Sequence, residues 1–157
     1  MNTFFKATWS QNLKLSTALF SGVMVLVMII GGGIGALIGG LILLLCFLLL
    51  VRGYSLQENR LVVHGMLWSR SYPLECLVDI ESSPFVTAGS IRMFGVGGLF
   101  SYLGYFRNPS LGDYLSYVTD PANIVVMKID NQVILVSPED PDAFIQAVRS
   151  IYLFRRI

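Results

Sequence analysis

The chain has 157 residues, of which 54% are hydrophobic and only 13% charged, with a formal net charge of +1. A soluble domain usually carries about a quarter charged residues, so part of this chain is not built for water. From residue 52 onward nine Lys+Arg face ten Asp+Glu, a balance with no long-range field to attract nucleic acid or anionic lipid.

The first 14 residues read as a short cytosolic segment, with Phe4, Phe5 and Trp9 suited to sit at headgroup level. Residues 15–51 then run for 37 positions without Asp, Glu, Lys, Arg or His. One helix of that length would measure about 55 Å, whereas the hydrocarbon core is only ~30 Å thick. Two spans use the run fully, and Gly31-Gly32-Gly33 with Gly35 is the weakest place for a helix. The expectation is a transmembrane hairpin of residues 15–30 and 34–51, against the alternative of one tilted helix. Gly31, Gly35 and Gly39, and likewise Gly32, Ala36 and Gly40, recur every four residues as small ridges for close helix packing. Lys6, Lys14 and Arg52 flank the run while the turn is uncharged, so the positive-inside rule puts both ends in the cytosol of an inner, multi-pass membrane protein. No small-x-small site follows the first apolar stretch, so a cleaved signal peptide is not expected.

After the membrane run the pattern changes to short strands. Segments 54–57 and 60–64 flank Glu58-Asn59, a hairpin loop. Strand continues over 66–72 until Pro73, then over 74–80 and 90–94. A long Gly- and aromatic-rich loop reaches about Val118, and 124–129 and 133–136 are strands joined through Asp130-Asn131-Gln132. Ser137-Pro138 or Asp140-Pro141 then starts a helix whose apolar face holds Phe144, Ile145, Val148, Ile151 and Tyr152, with Arg149, Arg155 and Arg156 near its end. Residues 53–157 thus form one mainly β domain closed by a C-terminal α-helix.

Along this domain the sequence resembles the bacterial PH-like domain family of small membrane-anchored proteins. The resemblance is carried by Gly53-Tyr54-Ser55-Leu56, Leu61-Val62-Val63, Tyr72-Pro73-Leu74 and the run from Arg92 to Phe100. Gly104-Tyr105-Phe106, Tyr117-Val118-Thr119, Ser137-Pro138-Glu139-Asp140-Pro141 and Phe144 complete it. It implies a PH-like β-barrel or sandwich behind a two-helix transmembrane hairpin, working as an interaction or assembly module. No catalytic residues are implied.

The residues themselves offer little chemistry. Gly95-x-Gly97 opens like a dinucleotide fingerprint, but Phe100 holds the third glycine position, and no GK[ST] or βαβ unit is visible. His64, the only histidine, lacks signalled partners, and Asp79 with Glu81 read as solvated strand residues. Cys46 and Cys76 read as small buried hydrophobes. Neither enzyme activity, a metal nor a cofactor is expected.

The anomaly is residues 94–118, with seven aromatics and two charges, Arg107 and Asp113. Its aromatics either fill a core or expose an interaction loop made by Phe94, Leu99, Phe100, Tyr102, Leu103, Tyr105, Phe106 and Arg107. On the second reading, serine at Phe100, Tyr102 and Phe106 removes a partner and spares the fold. Specific lipid-headgroup binding is not expected, because Arg70, Arg92 and Arg107 are scattered and Lys128 is the domain's one lysine. The expected function is protein–protein interaction or assembly at the membrane's cytosolic face, with an integral-membrane partner or further copies of the chain. The alternative is a sensor binding a lipid or small ligand.

Overall fold

The computed structural model describes residues 3–153, and side chains as far as Ile151. β1 (Thr3–Lys6) leads into an apolar helix pair, α1 (Gln11–Ile30) and α2 (Gly32–Leu48). Ser10 caps α1 by accepting from the Leu13 N–H at 3.2 Å, so α1 begins four residues before the apolar run. The helices fold back on each other at Gly31 and Gly32, the latter at φ +60. A Cβ on Gly35 would meet the Val27 carbonyl at 3.0 Å, and one on Gly39 would press on the Met28 side chain at 2.7 Å. Glycine is therefore what lets these backbones approach. Gly31 lies in the same contact and Gly40 touches Met28, whereas Gly32 has open space and Ala36 is exposed. Of the two helices, Gln11–Ile30 is long and apolar enough to cross a membrane, and Gly32–Leu48 is apolar but shorter.

The remainder is a β-sandwich. β2 (Val51–Gln57), β3 (Arg60–Gly65) and β4 (Ser69–Pro73) extend from β1 as an antiparallel sheet in the order β1-β2-β3-β4. A 3₁₀ turn, Leu74–Cys76, leads to β5 (Leu77–Ser82), which is followed by β6 (Ile91–Leu99), β7 (Ser101–Asn108), β8 (Gly112–Val118), β9 (Val125–Ile129) and β10 (Gln132–Val136). These six order as β5-β9-β10-β8-β7-β6, and the β8–β10 pair is parallel. Val51 belongs to β2, so the second apolar helix ends short of its expected boundary. Segment 74–80 divides into the 3₁₀ turn and β5, and Cys76 on that turn is exposed, against the buried position expected for it.

Alternation along the strands builds two cores. Val125, Met127, Ile134, Val136, Leu115 and Tyr117 face β2, β3 and the last helix. Val126, Leu135, Tyr114, Val118 and Phe106 point to the other face, where Ile124 joins them. Strands apolar on both faces read as continuous hydrophobic runs, as these do. The helix α3 (Pro141–Leu153) starts at Asp140, whose Oδ1 accepts from the Ala143 N–H at 2.9 Å. Phe144, Ile145 and Val148 are buried on its inner face. The Tyr152 side chain and Arg155 and Arg156 lie outside what is described.

Ser137 instead joins a buried polar knot. The Tyr54 hydroxyl donates to the Tyr117 carbonyl at 2.5 Å and accepts from the Ser137 N–H at 3.1 Å. Ser137 Oγ accepts from the Thr119 N–H at 2.8 Å, and the Thr119 hydroxyl donates to the Thr8 carbonyl at 2.7 Å. Burial pushes the Tyr54 phenol up to about 12. A phenol that must stay neutral contributes stability that is complete below its unfolded pKa of about 10 and lost as pH rises through the folded value. Urea midpoints of the detergent-solubilised chain should therefore fall between pH 10 and about 12, and Tyr54→Phe should lessen that fall, to which the raised phenols of Tyr72, Tyr114 and Tyr117 also contribute. A midpoint unchanged across the window would contradict the knot.

Candidate functional site

The β6–β7 hairpin carries most of the residues that the sequence singles out. The expected long loop is in fact three strands, β6, β7 and β8. Their alternation is masked by register shifts between Arg92 and Phe94 and between Gly97 and Leu99. Gly95 and Gly97 stand within β6, so no phosphate-cradling loop exists there.

The hairpin tip is seated against the helix pair. Ser16 Oγ donates to the Gly98 carbonyl at 2.7 Å, and the Phe100 N–H donates to Thr17 Oγ1 at 3.1 Å. The Phe100 ring meets Trp9 and Phe47 edge-on, at centroid distances of 6.0 and 6.1 Å. Phe100 sits at φ +59, a conformation that costs a non-glycine residue of order 1 kcal/mol. The docking contacts offset that strain. On the other side of the helix base, Trp68 Nε1–H donates to the Leu48 carbonyl at 3.1 Å. The Trp68 indole lies where a Cβ on Gly65 would be, which explains the glycine. Leu67 beside it is 79% exposed.

The candidate residues thus part into three groups. Leu99 and Phe106 are buried, and Phe106 stacks on Tyr114 at 5.8 Å. Phe100, Tyr102 and Leu103 are half-buried, Leu103 packing on the inner core. Phe94 is 77% exposed and Tyr105 52% exposed, and the two are register partners on β6 and β7. Met93 at 60% and Ile91 extend this apolar edge. Serine at Phe106 would remove a core ring, so the expectation that the triple change spares the fold is corrected at that position, while serine at Phe100 would weaken the docking of the tip. Ile91, Met93, Phe94 and Tyr105 are the large apolar side chains that this hairpin leaves exposed.

The arginines do not converge. Arg107 forms an exposed two-pronged ion pair with Asp113, which holds the Asp113 carboxyl below its usual range. Arg92 pairs in register with Phe106, so it points to the opposite face from Arg107. Arg70 lies on β4 in the other sheet. His64 shares a 2.7 Å hydrogen bond with Ser55, while Asp79 accepts from the Ile80 N–H and faces Lys128 across the ladder. Among the described residues no group of three His, Cys, Asp or Glu could hold a metal ion.

Sequence reasoning missed Ser16, Thr17 and Trp68. The signal for the first two was two adjacent hydroxyls at the start of an apolar run, which is weak without a partner in view. The profile of the bacterial PH domain family matches residues 52–151. No curated protein and no solved structure matches the chain.

Proposed function

The chain belongs to the bacterial PH domain family, whose members are typically non-catalytic binding modules, and from that premise we propose that it is a membrane-tethered interaction module with its domain held against the cytosolic face of the inner membrane. The observation that carries this reading is the seating of the domain on the base of the helix pair at Ser16, Thr17 and Leu48. A domain fixed there presents a constant surface to whatever lies beside it in the membrane.

The pairing of β1 with β2 supports a hairpin topology. Lys6 is the register partner of Gly53, so the chain enters and leaves the helix pair at one place. Such a segment crosses a bilayer an even number of times. α2 extended by Leu49 and Leu50 is near the lower limit for a span. Lys6, Lys14 and Arg52 all lie at this shared end, which favours the cytosolic side.

The partner surface is the apolar edge of Met93, Phe94 and Tyr105, suited to an integral-membrane protein or another copy of the chain. Serine at all three positions should leave the urea midpoint and membrane fractionation unchanged. It should cut co-purification of partners from mild detergent by about tenfold or more. Undiminished co-purification would remove this edge from the account.

A further inference from the structure

We propose that a cleft on the outer face of the six-stranded sheet binds an amphiphile carrying a single negative charge on an apolar body. The cleft has a volume of about 540 Å³, within the range of about 300–1,000 Å³ typical of small-molecule sites. Its floor is the outward face of β6, β7 and β8, with the rings of Tyr102, Phe106 and Tyr114, and its far wall is the 83–90 connection that carries Phe85. Phe85 is held at φ +57, and its ring stands largely exposed at the rim. Strain concentrated beside a cleft is typical of ligand clamps.

The polar side chains give the site its sign. Arg92 is the only charged residue in the lining, and it makes no hydrogen bond or ion pair among the described residues. The hydroxyls of Thr87 and Tyr102 are likewise free to donate, whereas Ser90 Oγ is engaged by Tyr114 and Asn108. The Arg92 side chain lies over Gly97, where a Cβ would meet its Cδ and Nη1 at 3.6 Å. The missing side chain at 97 therefore keeps the space beside the guanidinium open. One arginine above aromatic walls suits one anionic group. A multiply phosphorylated headgroup would need several converging cations.

The apolar body of the ligand follows from the aromatic lining and from what lies beside Gly97. Gly97 adjoins Gly98, whose carbonyl accepts from Ser16 in the second turn of α1. With the helix pair in a bilayer the Gly97 side of the cleft lies beside the headgroups, so the inference rests on the membrane reading above. An acyl chain can enter from there while its charge meets Arg92.

The test uses the full chain in mild detergent, offered phosphatidylglycerol, phosphatidylcholine, palmitate or inorganic phosphate and read by native mass spectrometry. Retention of phosphatidylglycerol assigns the ligand to the bilayer, retention of palmitate alone assigns it to free fatty acid, and either supports the site. Arg92→Gln should lower retention by about tenfold or more. Gly97→Leu, which fills the space without a left-handed backbone, should do the same, while Arg60→Gln on the other sheet should change nothing. Equal retention of phosphatidylcholine, retention of phosphate alone, or Arg92→Gln behaving as the parent would overturn the proposal. Alkaline extraction of membranes reads the tethering separately. A chain that is extracted yet retains the anionic amphiphile would overturn the membrane reading and leave the cleft assigned.

Discussion

Alanine at Gly104 is expected to lower the domain's unfolding free energy by about 3 kcal/mol. Gly104 and Gly95 are register partners on β7 and β6, at φ +135 and +120. A Cβ on Gly104 would overlap the carbonyl oxygen of Phe94, and one on Gly95 would overlap that of Leu103. The obstruction is backbone in each case, so no side-chain rotation relieves it. Moving the backbone would break the ladder that aligns Phe106 with Tyr114 and seats the tip on α1. Gly112 makes the control: it also has a positive φ, but a Cβ there meets nothing within 4 Å. Alanine at 112 should cost only about 1 kcal/mol. Urea midpoints of the two variants decide the matter. Equal midpoints would mean that the Gly95–Gly104 approach is not tight.

Combining Trp68→Ala with Phe100→Gly should loosen the domain's seat on the helix pair while β9 and β10 stay folded, with a further small loss where Trp68 packs on Tyr117. Truncating a fully buried aromatic costs about 3–5 kcal/mol. Trp68 and Phe100 are half-buried, so about 2 kcal/mol each is the reasonable scale. Glycine at 100 also removes the positive-φ strain, which offsets part of the loss of the ring contacts with Trp9 and Phe47. Hydrogen exchange is the suitable readout, because it reports segments separately. Exchange should rise by about tenfold or more over residues 65–68 and 98–101 while β9 and β10 keep their protection. A uniform rise across the sheet would mean that the seat and the core are one cooperative unit.

Much of the architecture is written locally in the residues. The uncharged run, the glycines at its middle, the strands β2, β3, β9 and β10 and the last helix each have a periodicity or turn chemistry that acts within a few positions. What stayed hidden depends on partners far along the chain. β1 is four residues whose strand character comes from pairing with β2 across the entire helix pair. β8 pairs in parallel with β10, and its residues serve two cores in alternation, which a composition rich in Tyr and Leu does not reveal.

The candidate site was legible as a region and illegible as a surface. The aromatic excess pointed to β6 and β7, but the bulges inside β6 shift which residues share a face. Phe94 and Phe106 are the same residue type in neighbouring strands, one exposed and one buried. Arg92 is a lone charge in the sequence, and the fold lays its side chain over Gly97. Fold-level likeness supports a binding role and leaves the choice of ligand to these side chains.

The ladder between β1 and β2 has one further consequence. Seen from the sheet, everything between Ala7 and Arg52, whose backbones are joined at 3.3 Å, is the connecting loop of a β-hairpin. The greasy helices are thus an insert at a hairpin bend, and a two-residue turn would close the same gap. Excising the insert would bare the seat around Trp68 and Phe100 and leave the Thr119 hydroxyl without its Thr8 acceptor, so a water-soluble version of the domain needs both masked.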